Sequence, residues 1–548
     1  SNVTLYGNGH EIENTFGNTA DYEVGIDVGL GVSNVTIANV TIRYFENGIE
    51  LSDVHDSTVR DVFTQPDQFD SYALTDIQGN SISVTQSAIR IDDGSSNVTV
   101  RDSELNSAGD RLGISNAVYV RDSNNVTVRD NTIFDAGQNG ISLSNTSDST
   151  VENNEIRGLG FSRLMVSGIA VSSGVSGSDN VIRDNEVNGE SRLTDFVDDA
   201  GVLDGIYVGA PNTTVVGNDV HNNYQRGIVV ELGGDNTTVR DNHVYQNWGG
   251  NAADTSGVVV GQFARNVTLT ANRISGNNNA DGVLIAANDT TVTDNRILFN
   301  DMAGLRLEGI VTISAVNNTL QDNRGVELSM ADTGSLTLTD LHLATSGTDP
   351  PANVTLTGSN VELSAVSRFD VPAEPAGVDD IGHFVNVTNT SNPSISSFEL
   401  KYGDADASTV DESNISMYRH NGSAWVELSG TNTIDPATNT ITADVPTSGL
   451  IAPFGPDVVA PTINSLTLRN DSGNLSITAA ISERLGELEV TVENSSGTVR
   501  TLTKSNFTER SSADSARYST ELTTLALGTY NVTIEKATDD AGNPAPAG

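Results

Sequence analysis

The chain has 548 residues, with 28 lysines and arginines against 72 aspartates and glutamates, a formal net charge of −44. That length implies two or more domains, and the acidity excludes nucleic acid as a partner, because phosphate binding needs a basic face. The absence of cysteine excludes disulfides, thiolate metal sites and cysteine nucleophiles. The only lysines are Lys401, Lys504 and Lys536. A surface this acidic repels itself in dilute buffer and is relieved where molar salt shortens the Debye length to about 3 Å. The composition therefore points to a halophile.

Taken from its start, the chain opens on Ser1-Asn-Val-Thr-Leu-Tyr-Gly-Asn-Gly-His10, already inside a repeat. A stacked fold needs its open edge protected, so a cap is expected upstream or from another subunit. The repeat itself is explicit. Asn125-Val-Thr-Val-Arg-Asp-Asn131, Asn236-Thr-Thr-Val-Arg-Asp-Asn242 and Asn266-Val-Thr-Leu-Thr-Ala-Asn272 share one frame. Each unit continues to a glycine and alternating apolar residues, as in Gly205-Ile-Tyr-Val208 and Gly227-Ile-Val-Val230. The pattern predicts short period-2 strands separated by Gly, Asn and Asp turns.

The shortest units, such as Asn272 to Asn295, span 23 residues. A strand–helix–strand crossover needs about 30 or more, and no segment has helical periodicity. The remaining way to bury the apolar face is to coil the chain and stack the coils, about 4.8 Å apart. Valines of the Asn-Val-Thr-Val run then point inward. The terminal asparagines (Asn131, Asn154, Asn185, Asn218, Asn242, Asn272 and Asn295) align in one structural column, satisfying each other as amide ladders do. A leucine-rich repeat has a similar period but a leucine consensus that this chain lacks.

This pattern resembles the right-handed parallel β-helix repeat of the carbohydrate-binding and sugar-hydrolase (CASH) group and of NosD-like proteins, over roughly residues 1–345. The resemblance implies an all-β solenoid. It does not carry over catalytic residues: the Asn-Thr-Asp, paired Asp, Gly-His-Gly and Arg-Ile-Lys pattern of polygalacturonase-like enzymes is absent. The copper site that the NosD-like resemblance implies is poorly supplied too. Of seven histidines, only His221 and His243 fall on neighbouring coils, and diagonally.

Near residue 346 the repeat fades into Pro-rich linkers, Thr348-Asp-Pro-Pro-Ala352 and Val371-Pro-Ala-Glu-Pro375. Short strands with turn signals then predict a small β-sandwich over 346–457. Its stretch Tyr418-Arg-His-Asn-Gly-Ser-Ala-Trp-Val-Glu427, ending at Ala452-Pro-Phe-Gly455, resembles modules that follow β-helices in haloarchaeal surface proteins. The stretch 458–548, ending in Ala537-Thr-Asp-Asp-Ala-Gly-Asn543, resembles a bacterial-type Ig-like module. No apolar run is long enough to span a membrane, nothing resembles a signal peptide, and any anchor is expected beyond Gly548.

Long stretches at about 106–116, 157–167, 188–204 and 246–256 fall between the Asn column and the following glycine. They are expected to crowd one edge of the coil, where a rigid scaffold carries binding residues. Arg192, Asp195, Asp198, His221, Tyr224, Tyr245 and Trp248 are the carbohydrate-binding candidates there. Asp199, Asp204 and Arg226 are the candidates if the edge is catalytic, as paired carboxylates or in an eliminating lyase. Asp198 and Asp199 are the weak Ca²⁺ candidates; no cofactor is required. Asp204 and Arg226 both precede the repeat glycine, so they should touch across one coil, most simply as a surface ion pair worth about 0–1 kcal/mol.

Sequons at Asn34, Asn97, Asn125, Asn212, Asn236, Asn266, Asn353 and Asn421 suggest an exported, N-glycosylated chain; the competing reading is that Asn-Val-Thr is turn-then-strand chemistry. The functional expectation is an extracellular cell-surface or filament-forming structural or adhesive protein, non-enzymatic, whose partners are surface glycans or copies of itself. The alternatives are a polysaccharide-binding or polysaccharide-degrading lyase or glycosidase, and a virus fibre or spike. Fold decides none of these.

Overall fold

The computed structural model describes residues 2–14, 24–45, 47–65, 85–106, 114–134, 136–158, 166–174, 177–189, 203–248, 255–310, 312–346, 351–375, 377–430, 432–471, 474–512, 515–523, 525 and 528–546. It clusters into two compact units. One holds residues 1–345, 355–364 and 389–394; the other holds 346–354, 365–388 and 395–548.

The first unit is the parallel β-helix. Each coil has three strands, for example Thr238–Arg240, His243–Tyr245 and Ser256–Val260. Each strand pairs in parallel with its counterparts one coil before and after, so Val215, Val239 and Leu269 stand in one column and Val220, Val244 and Ile274 in another. These six are fully buried. The period-2 pattern was therefore read correctly: Val98 and Val100 are buried and Thr99 between them is not.

The residue before each ladder asparagine has positive φ: Asp130 (55°), Asp184 (56°), Asp241 (56°) and Asp294 (58°). Asp and Asn tolerate this left-handed turn better than other side chains, which explains the Arg-Asp-Asn signature. The asparagine after it turns inward. Asn242 donates its backbone N–H and its Nδ2 to Asn272 Oδ1, both at 3.0 Å, and its own Oδ1 accepts the same pair from Asn218. The chain of such bonds runs from Asn131 to Asn318.

A second ladder, missed in the sequence, runs five residues later through Asn223, Asn247, Asn277, Asn300 and Asn323. The repeat glycine has a steric reason. A Cβ at Gly227 would overlap Val244 and the Gly257 carbonyl.

In the second unit, Phe398–Lys401 and Asn432–Asp435 pair antiparallel with Thr440–Ala443, and Ser416–His420 pairs with Gly449–Pro456. Beyond them lies a sandwich. A four-stranded antiparallel sheet (Ile463–Asp471, Asn474–Ile481, Ser515–Leu522, Thr508–Ser512) and a three-stranded one (Gly497–Thr503, Leu485–Asn494, Asn531–Asp539) enclose Ile477, Ile481, Leu485, Val490 and Tyr518. The Leu485 N–H donates to the buried Tyr518 hydroxyl at 2.7 Å. Helix among the described residues is limited to single 3₁₀ turns such as Arg368–Asp370.

Candidate functional site

The long stretches expected to share one edge begin and end in equivalent places. Glu104–Asn106, Glu155–Arg157, Glu186–Asn188 and His243–Tyr245 all belong to the second sheet of the coil. The strands that follow them, Ile114–Arg121, Val166–Ser172, Leu203–Gly209 and Ser256–Val260, all belong to the third. The connections therefore leave and re-enter at one corner. Two further ones, from Glu13 to Val24 and from Gln65 to Thr85, do the same and were not picked out from the sequence. Arg192, Asp195, Asp198 and Asp199 lie outside the described residues.

The described part of the corner carries two groups. On the third-sheet side, Asp204 pairs with Arg226 in register. Arg226 donates from Nε and Nη2 to the two carboxylate oxygens at 2.8 and 2.9 Å. The pair is not a surface contact. The Asp204 side chain is 4% exposed and that of Arg226 15%, so the expected surface ion pair is corrected to a two-pronged one with a buried carboxylate and a partly buried guanidinium. Its exposure depended on the covering structure, which a repeat frame does not reveal. Glu231 lies 3.6 Å from Arg226 Nη1.

Burial pushes the Asp204 carboxyl up from its ordinary value, against the pull of Arg226. Burial alone would lower the guanidinium, but the charge and hydrogen bonds of Asp204 outweigh it and hold Arg226 above its ordinary value. Both oxygens of the Asp204 carboxylate are engaged by Arg226.

On the second-sheet side the rings align. His221 and Tyr245 are register partners one coil apart, stacked at 4.7 Å between centroids and 13° between planes. His243, two residues before Tyr245, stacks on its ring at 4.3 Å. His221 is buried, with Asn222 Nδ2 2.9 Å from its Nδ1 and Glu186 3.7 Å from its Nε2. Burial holds His243 below the ordinary histidine value, with Asp219 opposing. Burial, then the charge of Asp219, raises Tyr245. Next along the chain, Tyr224 and Trp248 meet edge to face at 5.4 Å, and Trp248 is 52% exposed. Phe299 and Met302, together two coils further on, are also exposed; neither was picked out from the sequence, since they fall just after the repeat frame.

The family described as the right handed beta helix region matches residues 24–203 and 204–362. The chain belongs to this family. Among solved structures, this β-helix is similar to the A-module of mannuronan C-5 epimerase AlgE4 of Azotobacter vinelandii, at 16% identity over 58% of this chain and 84% of that one, with a TM-score of 0.37. It is similar to the Dettilon tailspike protein, at 12% identity over 83% of this chain and 87% of that one (TM-score 0.39). PfbA, a surface adhesin of Streptococcus pneumoniae, matches at 13% identity over 67% and 92% respectively (TM-score 0.36). These likenesses concern the fold alone. Comparison with curated proteins gives no match.

Proposed function

We propose that the chain is an extracellular structural or adhesive rod of a halophile, and that its loaded corner holds a glycan. The observation that carries this reading is the ring cluster: exposed Trp248 against Tyr224, beside the stacked His221, Tyr245 and His243. Aromatic faces offer the apolar body that a sugar ring's C–H face needs, with a polar edge for its hydroxyls. Glu186 and Asp219 stand beside the rings as acceptors. The excess of carboxylates favours a neutral or amino sugar over a uronate, because like charges repel.

A polysaccharide-active enzyme is the second reading. It is favoured by one observation: His243, which burial holds below the ordinary histidine value, stacks on the ring of Tyr245, and both are residue types used in acid–base work.

A glycan array in high salt, followed by affinity measurement on the best binder, separates the two readings. Trp248→Ala should weaken binding at least tenfold while leaving the thermal midpoint unchanged. An array with no binder, or a variant that binds as the parent does, would sink the glycan proposal. Release of reducing ends or unsaturated product would replace the adhesive reading with the enzymatic one.

A further inference from the structure

Away from the coil, three carboxylates meet from distant parts of the sequence. Asp457 follows the strand Gly449–Pro456, Glu483 sits between Asn474–Ile481 and Leu485–Asn494, and Asp539 ends Asn531–Asp539. One carboxylate oxygen of each lies within 4.8 Å of those of the other two. Among the described residues no lysine or arginine pairs with any of them. Arg484, the nearest cation in sequence, is 3.0 Å from Glu509 and 3.8 Å from Asp540 instead.

Acidic residues gather often without consequence, and Asp539 is what distinguishes this group. It is only 4% exposed. Its Oδ1 accepts the Asn543 N–H at 2.8 Å, but its buried Oδ2 has no hydrogen-bond partner. A buried carboxylate oxygen left bare carries a desolvation cost that native folds avoid, and two further carboxylates stand beside Asp539. The cluster is also held in shape. Asn543 Nδ2 donates to the Asp457 carbonyl at 2.9 Å, and the Asp539 N–H donates to the Asn543 carbonyl at 3.1 Å.

Two things can neutralise such a group, a proton or a cation. Hard carboxylate oxygens, with no histidine or cysteine among them, match a hard divalent ion. Opposite ligands of Ca²⁺ stand about 4.6–5.2 Å apart, a span that these oxygens fit.

We propose that Asp457, Glu483 and Asp539 bind one divalent cation of the Ca²⁺ class, fastening the segment that precedes the sandwich to its Glu483 and Asp539 turns. The surroundings agree. Burial pushes Glu483 up to about 7, with Asp457, Asp539 and Asp379 adding to the push, and burial likewise raises Asp457.

Calcium titration of the full chain by calorimetry tests this, with molar NaCl and excess Mg²⁺ present to cover weak surface carboxylates. The parent should show one saturable Ca²⁺ site. Glu483→Gln and Asp539→Asn should each weaken it at least tenfold, whereas Asp93→Asn, which removes an exposed acid elsewhere (62% side-chain exposure), should not. Hydrogen exchange should show Ca²⁺-dependent protection at residues 457–459, 482–485 and 538–543. Both cluster variants remove a repelling charge with little change of shape, so folding is retained. The proposal is overturned if no saturable site exists, if both variants bind as the parent does, or if protection falls elsewhere. It is equally overturned if the variants raise the thermal midpoint and the parent ignores Ca²⁺, since the group then holds a proton.

Discussion

Asn242 shows how much one side chain carries in this stack. It donates Nδ2 to the carbonyls of Val215 and Arg240 and to Asn272 Oδ1, each at 3.0 Å, and accepts from the backbone and side chain of Asn218. It is 2% exposed. Alanine there strands the Asn218 N–H, the Val215 carbonyl and one acceptor position of Asn272. Each buried group left bare costs about 1–3 kcal/mol, so Asn242→Ala should lose at least about 3 kcal/mol in guanidinium unfolding. Thr238→Ala, on the half-exposed face of the same coil, should stay within about 0.5 kcal/mol. Equal losses in the two variants would mean that the ladder contributes alignment without stability.

At the scale of the element, the sequons read as turn chemistry. Asn34, Asn97, Asn125, Asn212, Asn236 and Asn266 all have φ between 51° and 58°, where asparagine is favoured for its own sake. On successive coils, Asn236 Nδ2 donates to Asn212 Oδ1 at 3.1 Å, and Asn266 Nδ2 donates to Asn236 Oδ1 at 2.8 Å. That nitrogen is the one a glycan would take, and the coils lie closer together than a sugar is wide. Asn421 differs: its side chain uses Oδ1, which accepts the N–H groups of Ser423 and Ala424 at 3.0 Å. In a glycosylating host, site-resolved glycopeptide mass spectrometry should find Asn236 and Asn266 mostly unmodified and Asn421 more fully occupied. Uniform occupancy would contradict a structural role for the outer column.

The same elements show why the fold was legible and the site only partly so. Val-Arg-Asp-Asn repeats because one left-handed turn and one buried amide recur in every coil, so the frame, the first ladder and the pairing of Asp204 with Arg226 could all be read. The second ladder was hidden because Asn223, Asn247 and Asn277 follow dissimilar residues, although the five-residue offset from Asn218, Asn242 and Asn272 was there to find. Burial of Asp204 and His221 was not legible, because a repeat specifies which residues are neighbours and not what lies over them. The Asp457, Glu483 and Asp539 group had no signal at all. Its members lie in three unrelated turns and meet only in the folded sandwich.

For the whole molecule the dominant quantity is the charge of −44. Many of the basic residues already have an acidic neighbour, as in the pairs Arg60–Asp61, Arg101–Asp102, Arg129–Asp130 and Arg240–Asp241. Salt acts on these two populations with opposite signs. It weakens each exposed pair, worth about 0–1 kcal/mol, and it relieves the repulsion among the unpaired carboxylates, which outnumber the pairs. Relief should win, so the thermal midpoint should climb as NaCl rises from about 0.1 M to 2 M. Most of the rise should come early, because the Debye length falls from about 10 Å to about 3 Å by 1 M. KCl should match NaCl, since screening depends on ionic strength. Sodium sulfate at equal ionic strength would exceed both only if exclusion of the salt from the protein surface, which strengthens apolar burial, were the larger effect. A midpoint that falls with NaCl would show that the local pairs, and not the net charge, govern stability, and would remove the physical basis for a halophilic reading.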